Sequence, residues 1–156
     1  MELLIKRLHN DKNCTVYSPT GLPQVGIDLP EDLKYFYSVC GGAEIFYERD
    51  YGVKIVSPDE FVKANIEICG EDYLDDRSTH WFVIAKTNNN ESLVIDLERS
   101  RLGRCYDGFF DVYGVAGSQK IIATSFCELL NSLIHNKGEY WYWLRDDFSY
   151  LGDAYD

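Results

Sequence analysis

Three histidines, five cysteines and 26 acidic side chains are the material for chemistry in this 156-residue chain. Nucleophilic catalysis needs a Cys or Ser beside a His that a third group orients. His9 lies in the N-terminal segment, His80 precedes an apolar run, and His135 closes a helical stretch, where a cation is favoured. No G-x-S-x-G or comparable motif surrounds a Ser or Cys. A triad would have to assemble in space with no local sign of it. The cysteines (Cys14, Cys40, Cys69, Cys105, Cys127) are scattered, odd in number and never in a CxxC. They read as reduced, mostly buried thiols rather than a disulfide frame or a zinc site.

The carboxylates fall into tighter groups. "CGEDYLDD" holds Glu71, Asp72, Asp75 and Asp76, and "DDFSYLGDAYD" holds Asp146, Asp147, Asp153 and Asp156. A calcium loop needs oxygens at alternate positions around a glycine and a terminal Glu. Neither stretch has that pattern, so solvated acidic surface is expected, with no metal and no cofactor. Asp96 ends "LVID" and Asp107 ends "RCYD". Across a sheet edge these two could approach as the acid and base of a glycosidase. Strand-end aspartates also cap turns, and capping is the favoured reading. Arg99, Arg101 and Arg104 form the basic cluster, suited to a phosphate or to the chain's own acids. With no wider basic surface, nucleic-acid binding is not expected.

The formal net charge is −11, unevenly placed. Residues 1–30 carry three acids and three bases, and residues 81–120 carry five of each. Residues 31–80 carry twelve acids against five bases, and residues 121–156 six against two. Such a surface repels nucleic acid and anionic membrane and attracts basic proteins. No apolar run reaches the length of a membrane span, and the N-terminus lacks the apolar region and cleavage site of a signal peptide. The expectation is a cytoplasmic chain folded as a single domain over 1–156.

Helix signals occur three times. In "DLPEDLKYFYSVCGG", Asp28 is a candidate N-cap, Pro30 and Glu31 fill the first turn, and Leu33, Phe36, Tyr37 and Cys40 recur at helical spacing. Gly41 and Gly42 supply a left-handed stop. "SPDEFVKAN" offers Ser57 as N-cap, Pro58 and a capping-box Glu60, with Phe61, Ala64 and Ile68 on one helical face. "SFCELLNSLIHNKG" repeats the device with Ser125 and Glu128 before Gly138. Between them, "AEIFY", "GVKIV", "HWFVIAK", "SLVIDL", "GRCYD" and "QKIIAT" read as strands, with a hairpin at "TNNNE". Strand runs bracketed by helices predict an α+β fold, a mostly antiparallel sheet with helices packed on it and "WFVIA" at its centre.

The chain closes with "EYWYWLRDDFSYLGDAYD", in which seven of eighteen residues are aromatic and five acidic. Rings favour burial and carboxylates favour water or a cationic partner. Trp141, Trp143, Leu144 and Phe148 are the candidates for burial. Tyr140, Tyr142, Tyr150 and Tyr155, with Asp146 and Asp147, are the candidates for an exposed contact surface. Two readings stay open: a final packed element with a wet outer face, or a surface that meets a partner.

"LPEDLKYFYSVCGGAEIF", "VSPDEFVKAN", "WFVIAKTNNNESLVIDL" and "IIATSFCELLNSLI", in that order, resemble the SUKH (Smi/Knr-type) domain family over about residues 25–136. The aromatic and acidic segment 137–156 lies beyond the resemblance. The resemblance implies an α+β fold, no catalytic set and, in its bacterial branch, immunity proteins that bind a cognate polymorphic toxin, often a nuclease. The first expectation is therefore an antitoxin that occludes a basic nuclease domain, acting as monomer or homodimer. Its contact residues would come from Glu71, Asp72, Asp75, Asp76, Tyr140, Tyr142, Asp146, Asp147, Tyr150 and Tyr155. The alternatives are a scaffold or regulator for other proteins, and a small hydrolase.

Overall fold

The computed structural model describes residues 1–156. Seven short strands follow one another in space as they do in sequence, and every neighbouring pair is antiparallel. They are β1 (Cys14–Val16), β2 (Ala43–Ile45), β3 (Val53–Ile55), β4 (Trp81–Thr87), β5 (Ser92–Asp96), β6 (Cys105–Gly108) and β7 (Ile121–Ala123). Four helices pack around this meander: α1 (Glu2–Asn10), α2 (Glu31–Val39), α3 (Ala64–Cys69) and α4 (Phe126–Asn136). The fold is α+β, as the alternation of signals predicts. β4 is the middle strand, and only Lys86 along it escapes full burial.

The register fixes the two faces. Trp81 lies opposite Asp96, and Leu93 lies opposite Asp107. Side chains alternate along a strand, so Trp81, Asp96 and Tyr106 share one face, while Phe82, Leu93 and Asp107 share the other. On the Phe82 face, Phe61 stacks on Phe82 at 5.3 Å and meets Tyr37 of α2, while Phe36 of α2 meets Phe126 of α4 at 5.1 Å. On the Trp81 face, Tyr113 packs on Trp81 and donates to Asn65 of α3 at 2.6 Å. Asp96 and Asp107 therefore point to opposite sides of the sheet. They cannot act as an acid–base pair.

Three local expectations are corrected. Asp28 does not cap α2, which starts after Pro30. The aspartate that matters is Asp32, whose carboxylate accepts from the Leu33 N–H and also from the Cys127 N–H at 2.7 Å. It thereby satisfies an orphan donor in the first turn of α4, beside the Ser125 cap. The helix does not end on a left-handed Gly41 either. Cys40 is extended, and only Gly42 has positive φ, at 118°. Gly41 is needed because a Cβ there would sit 2.1 Å from the Ser18 carbonyl oxygen.

The third correction concerns residues 57–68. The Ser57–Glu60 capping box forms, but the helix stops after a single 3-10 turn, Pro58–Glu60. The chain then extends, Val62 accepts from the Val83 N–H at 2.9 Å, Lys63 bridges to Phe82, and helix resumes at Ala64. β3 pairs with β4 only from Ile55 to Val53, which leaves the start of β4 with open backbone groups. Pairing them outweighs continuing a helix. α1 and β1 carried no clear signal in the sequence, although Leu4, Ile5 and Leu8 form the buried stripe of α1.

Candidate functional site

The closing segment is a strap around the β7 edge. From the end of α4 it passes first over the Phe82 face. Trp141 and Trp143 stack at 5.2 Å against Phe109, and the Trp143 indole donates to Asp107 Oδ2 at 2.9 Å. The Tyr142 hydroxyl donates to the Ile122 carbonyl at 2.7 Å. The strap then runs beside β7: the Ile121 N–H donates to Gly152, the Ala154 N–H donates to Gln119, and Lys120 bridges to Asp153. It ends on the Trp81 face, where the Tyr155 ring lies 5.8 Å from Trp81.

Burial pushes the Asp107 carboxyl up, and the Glu91 charge adds to this, while the Phe109 N–H, the Trp143 indole and Lys120 pull it down. Asp96 on the opposite face is fully enclosed by donors. Trp81 Nε1 at 3.0 Å, Arg101 Nε at 2.7 Å, the Tyr106 hydroxyl at 2.9 Å and the Glu98 N–H at 2.8 Å all reach it. Arg101 thus serves the chain's own acid rather than a phosphate. Both carboxyl groups are spent inside the packing: four donors converge on Asp96, and the Phe109 N–H and the Trp143 indole reach Asp107.

The strap joins the two acidic blocks that are far apart in sequence. The Tyr155 hydroxyl donates to Asp76 Oδ1 at 3.1 Å, and the Arg77 guanidinium donates to the carbonyl oxygens of Tyr155 and Asp156. The carboxylates of the 71–76 loop have different duties. Asp72 pairs with Lys63, which holds its carboxyl below the ordinary range. Burial pushes Asp76 up, but hydrogen bonds from Ser78 and Tyr155 outweigh this and hold it low. Glu71 is exposed and accepts from the Tyr73 hydroxyl at 3.1 Å, while Asp75 is exposed with no internal partner.

The remaining selected residues divide the same way. Tyr142 and Tyr155 are half-buried and committed to the packing just described. Tyr140 is exposed with its ring edge on Tyr51, Asp146 and Asp147 are exposed, and Tyr150 is 64% exposed. Trp141 and Trp143 are buried, while Leu144 and Phe148 are half-buried against the core. Sequence reasoning passed over Leu74, 72% exposed within the acidic loop, and Arg77, which ties that loop to the strap. Leu74 could have been noticed as a lone aliphatic among acids. The contact of Arg77 spans nearly half the chain and leaves no local trace.

Of the five thiols, Cys40 and Cys105 are buried, Cys14 and Cys127 are half-buried and Cys69 is exposed. Burial pushes the Cys14, Cys40, Cys69 and Cys105 thiols up, Cys40 to about 11, away from the nucleophilic thiolate. His80 Nδ1 faces Glu98 at 3.5 Å on the surface. No three His, Cys, Asp or Glu side chains converge as a metal site, and no helix is long and apolar enough to cross a membrane.

The immunity protein YokJ of Bacillus subtilis (strain 168) is 43% identical over 158 aligned residues, which cover 100% of this chain and 96% of that relative. The strap therefore lies inside the aligned region. Residues 24–132 match the SMI1/KNR4 family. The chain belongs to the SMI1/KNR4 family (SUKH-1).

Proposed function

We propose that this chain is a cytoplasmic immunity protein that binds a cognate toxin, a basic nuclease domain, and blocks it by occupying its substrate channel. The observation that carries the reading is full-length similarity to an immunity protein. The net charge of −11 supports it. A nuclease channel must attract phosphates, so a carboxylate surface complements it and speeds association.

The contact surface in this reading uses the exposed residues Glu71, Asp75, Tyr140, Asp146, Asp147 and Tyr150. Asp76 is exposed beside them but tied to Ser78 and Tyr155, and the half-buried Asp72, Tyr142 and Tyr155 shape the surface from beneath. Leu74 and Tyr150 supply apolar area that becomes desolvated in the complex, where a few such anchors dominate affinity. Inhibition then follows stoichiometry. Titrating the purified chain into the toxin should abolish nuclease activity at one equivalent, and preincubation time should not change that endpoint. Inactivation by a small fraction of an equivalent, growing with time, would instead mean that the chain modifies its target and acts as an enzyme.

A further inference from the structure

A groove of about 240 Å³ lies between α3 and the β4–β5 hairpin. Glu67 and Ile68 of α3 form one wall, Glu91 and Phe110 another, and Ser92 and Gly108 lie at the base. Ser92 and Gly108 are register partners, on the face that carries Asp96 and Tyr106. A Cβ on Gly108 would come within 2.8 Å of the Ser92 carbonyl oxygen, so only glycine fits there. The walls are fixed from within. The Glu91 carbonyl accepts from the Thr87 N–H at 2.9 Å and closes the hairpin. Glu91 Oε2 accepts from the Phe110 N–H, also at 2.9 Å, and holds the two walls together.

Three features of this groove do nothing for the packing. Phe110 is 68% exposed. Ser92 is only 4% exposed, yet its hydroxyl meets no partner within the chain and lines the groove. Glu91 is half-buried and pairs with no Lys or Arg, whereas Glu67 across the groove is already paired with Lys86. No basic residue lines the groove. Its unmet groups are thus one carboxylate charge, one hydroxyl and one aromatic ring, which together call for a cation with several donors. Only two carboxylates line the space and no third His, Cys, Asp or Glu converges on them, too few for a hard metal ion. The volume is below the roughly 300 Å³ at which small-molecule pockets begin, so it suits a single side chain.

We propose that this groove receives one arginine side chain of a partner protein. The guanidinium stacks on the Phe110 ring, pairs with Glu91 and donates to the Ser92 hydroxyl. A planar group with donors in several directions meets all three at once, which the compact ammonium of lysine does not. α3 leads from this groove directly into the 71–76 loop, so the pocket continues that part of the contact surface. That the arginine belongs to a toxin rests on the immunity reading. A nuclease domain has such arginines to offer, because its channel must hold phosphates.

Amide NMR on the full chain tests the pocket without any toxin. The probe is N-acetylarginine amide, with the uncharged N-acetylcitrulline amide as control, each titrated through the millimolar range. Arginine amide should give saturable shifts confined to Glu67, Ile68, the 89–92 turn, Gly108 and Phe110, and citrulline amide should not. Glu91→Gln keeps an acceptor for the Phe110 N–H and removes only the charge. It should abolish those shifts with the unfolding midpoint in place, and should weaken toxin binding about tenfold, as for one hydrogen bond to a charged group. No saturable shift, an equal response to citrulline amide, or shifts that survive Glu91→Gln overturn the proposal. Toxin affinity unchanged by Glu91→Gln overturns the partner's arginine as the occupant. A wild type that binds the arginine probe but no toxin refutes the immunity reading instead, and the arginine pocket stands.

Discussion

At β7 the chain covers its own edge, with backbone bonds from Ile121 and Ala154, a single bridge between Lys120 and Asp153, and two indoles and a phenol packed beside them. At β1 the outward N–H and C=O of Val16 meet no other backbone group, and the adjoining Tyr17 is exposed. The same sheet thus has one edge sealed by its own sequence and one left available. The difference locates the function of the aromatic and acidic segment: its inner rings close a fold, and only its outer face is free to meet anything.

The comparison breaks most visibly by emptying the sealed side. Trp143 is fully buried between Trp141, Phe109 and Tyr142. Trp143→Ala should cost about 3–5 kcal/mol, the range for truncating a buried aromatic. Val16→Ala at the open edge should cost less than about 1.5 kcal/mol, since Val16 is half-buried and loses only two methyl groups there. Urea unfolding of both variants checks this. Equal costs would mean that the strap rests on the sheet without holding it.

The open side is rigid where it turns away from α2. Gly41→Ala places a methyl 2.1 Å from the Ser18 carbonyl oxygen, so the 17–19 segment must shift. A cost of about 1–3 kcal/mol is expected, as for other overpacked sites.

A finer probe of the sealed side is pH. The folded carboxyl of Asp107 is raised above its ordinary 3.8, and the Trp143 indole is one of the groups pulling it down. Trp143→Phe removes that donor and raises it further. A raised folded pKa means stability is greatest below the unfolded value and is lost as pH rises through the folded one. The variant should therefore lose more stability relative to wild type at pH 7 than at about pH 2.5, below the ordinary value of 3.8, where the carboxyl binds its proton in both the folded and the unfolded chain. The pH-dependent part should be about 1.5 kcal/mol, as for one hydrogen bond to a charged group. Thermal unfolding at the two pH values reads it, and a pH-independent loss would show that Asp107 is held by other means.

What was legible in the sequence follows local physics. The α4 cap and stripe, the Asn-rich hairpin and the apolar centre of β4 are set by neighbours within a few residues, and they read correctly. The broken helix at 57–68 did not. Its cause is an unpaired stretch of β4, some twenty residues on, which no local pattern reports. Asp32 serving α4 and Tyr155 serving Asp76 are longer-range still. Among the candidate contact residues, residue type separated ring from acid but not inner from outer. Tyr140 and Tyr142 differ by two positions, yet one faces water and the other donates to Ile122.

The smallest effect on the fold should come from the outer face, and it is the one that bears on function. Asp146 and Asp147 are exposed and make no internal ion pair, while the nearby Arg145 is spoken for by Glu139. Asp146→Lys with Asp147→Lys should leave the unfolding midpoint in place, because exposed residues without partners contribute little. In the immunity reading the same pair should slow association with a basic toxin, most strongly at low salt, since steering charges act mainly on the on-rate. Stopped-flow binding at low and high ionic strength separates the cases. A slowed, salt-sensitive on-rate puts the outer strap in the encounter surface. An unchanged rate moves the contact to Glu71, Leu74 and Asp75, where Leu74→Ala tests it next by its off-rate.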